Sequence, residues 1–440
     1  MRLVTLAILA VSLAACSNTA DDGVVDVAFI SEAAEIETDG VRLDYAGQHV
    51  RAALSTGLVR TDARGQVVPG VAERWIVTDD GASYIFRINE FDLPDGTRLT
   101  AQEVRSALQR RLRQLRGTSL GLDLAKIRDI RAMTGRVVEI RLVSPMPDFL
   151  QLLAQPEMGI DLDRQSAGLM TSADGDGALL LAPLAPERRG LPEQPGWVDQ
   201  VHALRVEAVG AQAATEGFSQ GRYDLVLGGR LATLPLASAG PLSRGNVRLD
   251  AAIGLLGLDV RRPQGFLSDS ANREALAMAI DRPGLIQPFN VGGWLPSTRI
   301  VPPGLWSAPD APQERWPAAS LEQRRSEARQ RVAQWRAASG QGPQISVYLS
   351  EGPGSQILYE ALVDDFAAIG VTTARAETPG AADIVLRDRV ARYASARWFL
   401  NQFACEVRRG QCSEDADYLV SLALEARDAS EEASSLLEAE

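Results

Sequence analysis

Histidine and lysine are almost missing from this chain of 440 residues: His49 and His202 are the two histidines, and Lys126 is the one lysine. Two histidines so far apart in sequence give no zinc-ligand spacing, and the chain has no Gly-x-Ser-x-Gly elbow and no phosphate-cradling loop. The common hydrolytic, metal-dependent and nucleotide-dependent chemistries are therefore not expected, and neither is a cofactor. Positive charge is also in deficit, with 45 basic against 57 acidic residues and a net charge of −12. That balance, without a basic stripe, argues against nucleic acid as a partner. The near-exclusive use of arginine reads as a genomic bias and carries no functional weight. Cysteine is scarce too: Cys16, Cys405 and Cys412 are the full set.

Long apolar runs are confined to the beginning. Leu3 to Ala15, preceded by Arg2, is too short for the ~20 residues of a spanning helix and reads as an export signal. Leu13-Ala14-Ala15-Cys16 resembles the lipobox of bacterial lipoproteins, which would make Cys16 the acylated first residue of the mature chain and Ser17 to Gly23 its tether. An ordinary signal peptide with an incidental cysteine is the alternative. Either reading places the protein in the periplasm or cell envelope. In that oxidising setting Cys405 and Cys412, with six residues between them, read as a local disulfide or as two free thiols.

What remains is long enough for two or three compact units. Val24 to Ile30 has the apolar density of a buried strand. Trp75 to Val77 and Tyr84 to Ile88 flank Asp79-Asp80-Gly81 and predict a hairpin, with Trp75, Tyr84 and Phe86 in its core rather than on a ligand. Thr100-Ala101-Gln102-Glu103 is a capping box, followed by Val104, Ala107, Leu108, Leu112 and Leu115 at helical spacing. Strands are also predicted at Val137 to Leu142, His202 to Val209, Tyr223 to Leu227, Ile345 to Leu349 and Ile384 to Leu386. A helix carrying Leu358, Leu362 and Phe366 stops at Gly370. Strand, helix, strand implies a parallel crossover, so the fold class is mixed α/β. The Gly- and Pro-rich stretch Gly168 to Gly196 marks a boundary.

Taken in order, these words resemble the family 5 extracellular solute-binding proteins of ABC importers, the group containing oligopeptide-, dipeptide- and nickel-binding proteins. The strongest part runs from Gly57 to Asp62 through Val68-Pro69-Gly70-Val71-Ala72-Glu73-Arg74-Trp75 to Leu99 to Val104. Gly221 to Leu225, Asn272 to Arg282 and Ile300-Val301-Pro302-Pro303-Gly304 follow. The resemblance implies a two-lobed periplasmic-binding-protein fold with a small extra domain in the first lobe. Residues 24–44 and 178–257 would form lobe I, 45–177 the extra domain and 258–440 lobe II; the expected C-terminal return to lobe I is not seen, either because the sequence is truncated or because this member lacks it. It implies a monomeric, lipid-anchored receptor, not an enzyme, that hands a peptide or similar small solute to ABC permease subunits; the alternative is a sensor or envelope chaperone on the same scaffold. The site it implies comprises Ser31, Glu32, Gly228, Gly229 and Arg230 at first-lobe strand ends, and Arg397, Trp398, Phe399, Asn401 and Phe403 in the second lobe, with core packing of those aromatics beside a surface arginine as the alternative. No metal ligands are expected. Peptide-binding members place an aspartate in that second-lobe stretch, and Arg397 to Cys405 contains none, which weakens the expectation of free-amine recognition.

Overall fold

A computed structural model describes residues 23–31, 36, 39–90, 93, 96–162, 165–175, 178–237, 247–250, 252–306, 312–407, 410–426 and 428–440. Cys16 and Glu32 lie outside these residues. Among them, no helix is long and apolar enough to cross a membrane.

The first sheet has the strand order Met170–Gly175, Ala178–Pro183, Ala203–Val209, Val24–Ile30, Leu225–Leu227, and Val24–Ile30 runs parallel to both of its neighbours. Alternate side chains of this strand serve two cores. Val27 and Phe29 pack with Ala46 and Val50 of the helix Tyr45–Leu54, whereas Ala28 packs with Ala214 of the helix Ala211–Ser219. A strand covered on both faces is apolar at most positions, which is why VVDVAFI shows little alternation; Asp26, the exception, pairs with Arg205. The helix Tyr45–Leu54 thus belongs to this lobe, as do the two strands between Met170 and Pro183. The expected extra-domain limits of 45 and 177 are both too wide.

The extra domain is built on a four-stranded antiparallel sheet, Ala72–Val77, Ser83–Ile88, Val137–Leu142 and Ile127–Ala132. Its first hairpin turns where Thr78 Oγ1 donates to Asp80 Oδ1 at 2.6 Å. Phe86 and Tyr84 are buried in the core with Trp75 packed against it, and the Tyr84 hydroxyl donates to the carbonyl of Met146 at 2.9 Å. The helix Ala101–Gln114 starts with the capping box: Glu103 N–H donates to Thr100 Oγ1, and Thr100 N–H to the Glu103 carboxylate.

The second lobe carries the strand order Gly254–Val260, Ile384–Val390, Gln344–Tyr348, Thr372–Arg375. The helix Pro353–Ala367 joins Gln344–Tyr348 to Thr372–Arg375, which are parallel, and the chain turns between them at Gly370, φ +86°. The strand-helix-strand pattern predicts Gln344–Tyr348 parallel to Ile384–Val390, and it is; the pattern leaves out Thr372–Arg375, the parallel neighbour on the other side. It also missed Gly254–Val260, whose Asp259 pairs with Arg387 of the neighbouring strand; burial raises that carboxyl's pKa while the guanidinium opposes the shift.

The last fifty residues do not belong to the second lobe. Tyr393, Trp398, Phe399 and Leu400, with Val420 and Ala423 of the helix Glu414–Glu425 and Leu436 of the helix Ala429–Ala439, share the extra domain's core. Ser144 Oγ donates to the Leu424 carbonyl at 2.6 Å. The expected unit 258–440 therefore ends near residue 390, and the chain does return, onto the extra domain. The segment Ile300 to Gly304 goes the same way: Val301 is fully buried there, and the Glu440 side chain accepts from Ile300 and Val301 N–H groups at 2.7 and 3.1 Å.

Candidate functional site

Of the crossings between the lobes, the two that follow Leu225–Leu227 and Ile384–Val390 define the site. After Leu225–Leu227 the backbone turns at Gly228, φ +83°, and passes through Gly229 and Arg230 into the second lobe, where Leu231 is core. There the Ala232 carbonyl accepts from Gly354 N–H at 2.8 Å. The other crossing leaves Ile384–Val390: Ala391 N–H donates to the Ile253 carbonyl, and Arg392 grips the extra domain, both guanidinium arms on Glu157 at 3.0 and 2.7 Å and Nε on Gln155 at 3.1 Å.

Between the crossings lies an open cleft of about 2620 Å³, with Tyr45, Gly228, Gly229, Arg230, Asp388 and Phe403 among its walls. Arg230 stands over the Tyr45 ring at 5.8 Å and faces Asp388 across the lobes, Nη1 to Oδ1 3.6 Å. Burial raises the Asp388 pKa, opposed by Arg230 and by a backbone hydrogen bond from Leu231. Burial also raises the Tyr45 hydroxyl's pKa, with the Asp250 charge adding to the effect and Arg230 opposing it. Tyr45 in turn packs against His49, ring centroids 4.4 Å apart. Concave surface at an interlobe junction, with a few convergent polar groups, is the usual setting of a small-ligand site. No group of three or more potential metal-binding side chains occurs among the described residues.

The expected site residues divide sharply. Gly228, Gly229, Arg230 and Phe403 line the cleft. Ser31 ends its strand, donating its N–H to the Val209 carbonyl at 3.0 Å, and is not on the cleft wall. Arg397, Trp398, Phe399 and Asn401 are buried elsewhere, and their assignment to the ligand is corrected. Arg397 Nε donates to Asp123 Oδ1 at 2.6 Å, and Nη1 donates to the Val420 carbonyl. Trp398 and Phe399 meet edge to face in the extra domain's core, and Asn401 reaches the Ser119 carbonyl. The short helix Ala396–Leu400, capped by Asn401, carries these residues and is the dock of the returning chain. Cys405 and Cys412 form a disulfide beside it. Tyr45 and Asp388 escaped the sequence reading; their signal was position, at a helix start and a strand's carboxyl end beside a crossing.

The family described as "Bacterial extracellular solute-binding proteins, family 5 Middle" matches residues 66–406. Over 162 residues the chain is 28% identical to the Escherichia coli (strain K12) protein "Probable deoxycholate-binding periplasmic protein YgiS", a match spanning 32% of this chain and 28% of that relative. Among solved structures, OppA of Burkholderia pseudomallei superimposes with a TM-score of 0.77 at 18% identity, covering 94% of this chain and 90% of its own. Haemophilus influenzae OppA in complex with RPPGFSPFR gives 0.77 at 14% identity, covering 95% and 91%. At such identities the structural likeness speaks for the fold, a mixed α/β periplasmic-binding-protein architecture.

Proposed function

We propose, from the premise that this chain belongs to the family 5 bacterial extracellular solute-binding proteins, that it is a receptor which captures a peptide or similar small polar solute between its lobes and delivers it to an ABC permease. The family consists of binding receptors, not enzymes. The observation that carries the reading is the pair of crossings under one open cleft, at Gly228 to Arg230 and at Ala391 to Arg392, because hinges of this kind let two lobes close on a ligand. A peptide lies in the complex of the Haemophilus relative, and the Escherichia coli relative is named for deoxycholate, so the scaffold accommodates solutes of different character. The proposal includes a lipid tether at Cys16. The test is a thermal-shift screen of peptides, opines and metal chelates on the full chain, with small-angle scattering on each hit. A stabilising solute that also contracts the protein supports the reading, and no stabilisation across the panel removes it.

A further inference from the structure

The cleft has the opposite charge balance to the protein around it. Its walls present seven arginines against three aspartates, with no lysine, histidine or glutamate, in a chain of net charge −12. Two of the aspartates are engaged: Asp224 Oδ2 accepts from Asp26 N–H at 2.9 Å, and Asp388 faces Arg230. Of the arginines, Arg299 is held by Glu440 and Arg392 by Glu157, while Arg273 and Arg282 donate to backbone carbonyls. Arg248 is exposed, and its side chain has no hydrogen-bond or ion-pair partner among the described residues. Arg230 has the 3.6 Å contact to Asp388 and the Tyr45 face, neither of which uses up its donors.

Apolar surface gathers in the same place. Eight of the sixteen large apolar side chains exposed among the described residues line the cleft, including Val247, Leu249, Ile253, Val390, Trp294 and Leu295. Val247 and Leu249 flank Arg248, so a cation sits inside an apolar strip. Leu295 is 86% exposed, next to Trp294 on a segment that turns at Gly293, φ +84°. Clustered exposure of this kind marks a binding surface, and water leaves it when a ligand arrives.

We infer that the solute is an amphipathic organic anion, its carboxylate met by Arg230 and Arg248 and its apolar body covered by Val247, Leu249, Ile253 and Trp294-Leu295. The inference rests on the receptor reading and narrows it. Guanidinium groups suit a carboxylate because two parallel N–H donors match its two oxygens.

Isothermal titration of the full chain with N-octanoylglycine, its neutral glycinamide and octylamine tests the assignment. N-octanoylglycine binds; the amide binds about tenfold or more weakly, the loss of one charge-assisted hydrogen-bond pair. Arg230→Gln and Arg248→Gln each weaken the acid severalfold more than the amide, whereas Trp294→Ala weakens acid and amide alike. Equal binding of acid and amide, preference for octylamine, or silence from N-octanoylglycine at millimolar concentration overturns the assignment. C-terminally amidated tri- to pentapeptides run in parallel separate the two levels. If they bind and close the lobes while N-octanoylglycine does not, the solute class is wrong and the receptor reading stands; if nothing binds, both fall.

Discussion

Arg230 and Asp388 face each other across the two crossings, Nη1 to Oδ1 3.6 Å apart, the first just past a strand of lobe I and the second on a strand of lobe II. The pair is a contact between the lobes made at the floor of the cleft. Its carboxylate is only partly content there, because burial raises its pKa more than Arg230 and the Leu231 N–H lower it.

Replacing Asp388 by asparagine is therefore expected to change the pH dependence of stability. A carboxyl whose folded pKa is raised contributes stability that is fully present below its unfolded value of about 3.9 and is lost as pH rises through the folded value. Asp388→Asn removes that decline. Urea denaturation between pH 3.5 and 7 measures it: the wild type loses ground to the variant as pH rises, and parallel curves would contradict the assignment.

Asp123 and Arg397 give the strongest stability prediction. Both are buried, and Asp123 also accepts from the Tyr393 hydroxyl. Asp123→Ala strands a guanidinium without its counter-charge, at a cost of about 3–5 kcal/mol. Chemical denaturation reads the loss. Solute affinity of the folded protein stays unchanged, since the pair holds the returning chain and not the ligand.

At the first crossing two neighbouring glycines should respond differently to alanine. Gly228 has φ +83°, and a Cβ there would lie 3.2 Å from the Ile30 carbonyl oxygen and 3.3 Å from Tyr45 Cδ1. Left-handed backbone alone costs an alanine about 1–2 kcal/mol, so Gly228→Ala lowers the thermal midpoint. A Cβ on Gly229 meets nothing within 4 Å, and Gly229→Ala stays within about 0.5 kcal/mol of wild type.

The Cys405–Cys412 disulfide closes a short loop whose Cys405 N–H donates to Asp417 at 2.8 Å and whose Glu406 carboxylate accepts from Gly117 N–H at 3.1 Å. Loop-closure entropy assigns such a ring about 2–3 kcal/mol. The double variant Cys405→Ser, Cys412→Ser is expected to lose that much in equilibrium unfolding. It keeps its ligand affinity, because none of the described residues from Cys405 to Cys412 is among those lining the cleft.

Local structure was legible in the sequence because its causes are local. The capping box at Thr100 and Glu103, the Asp79-Asp80-Gly81 turn, the strand VVDVAFI and the stop at Gly370 each follow from residues within a few positions of one another. The same words, taken in order, were enough to recognise the scaffold. Gly228, Gly229 and Arg230 were expected at the cleft because a strand end beside a glycine pair is a local signal too, and they line it. What only the tertiary structure decided was the destination of distant segments. Arg397-Trp398-Phe399 has the composition of a ligand platform, yet Asp123, 274 residues earlier in the chain, neutralises the arginine, and the extra domain's core takes the rings. Nothing near residue 397 encodes that partner. Burial and ion pairing depend on which surfaces meet, and that is settled by packing across the whole chain; the walls of the cleft, Tyr45 and Asp388 among them, were fixed in the same way.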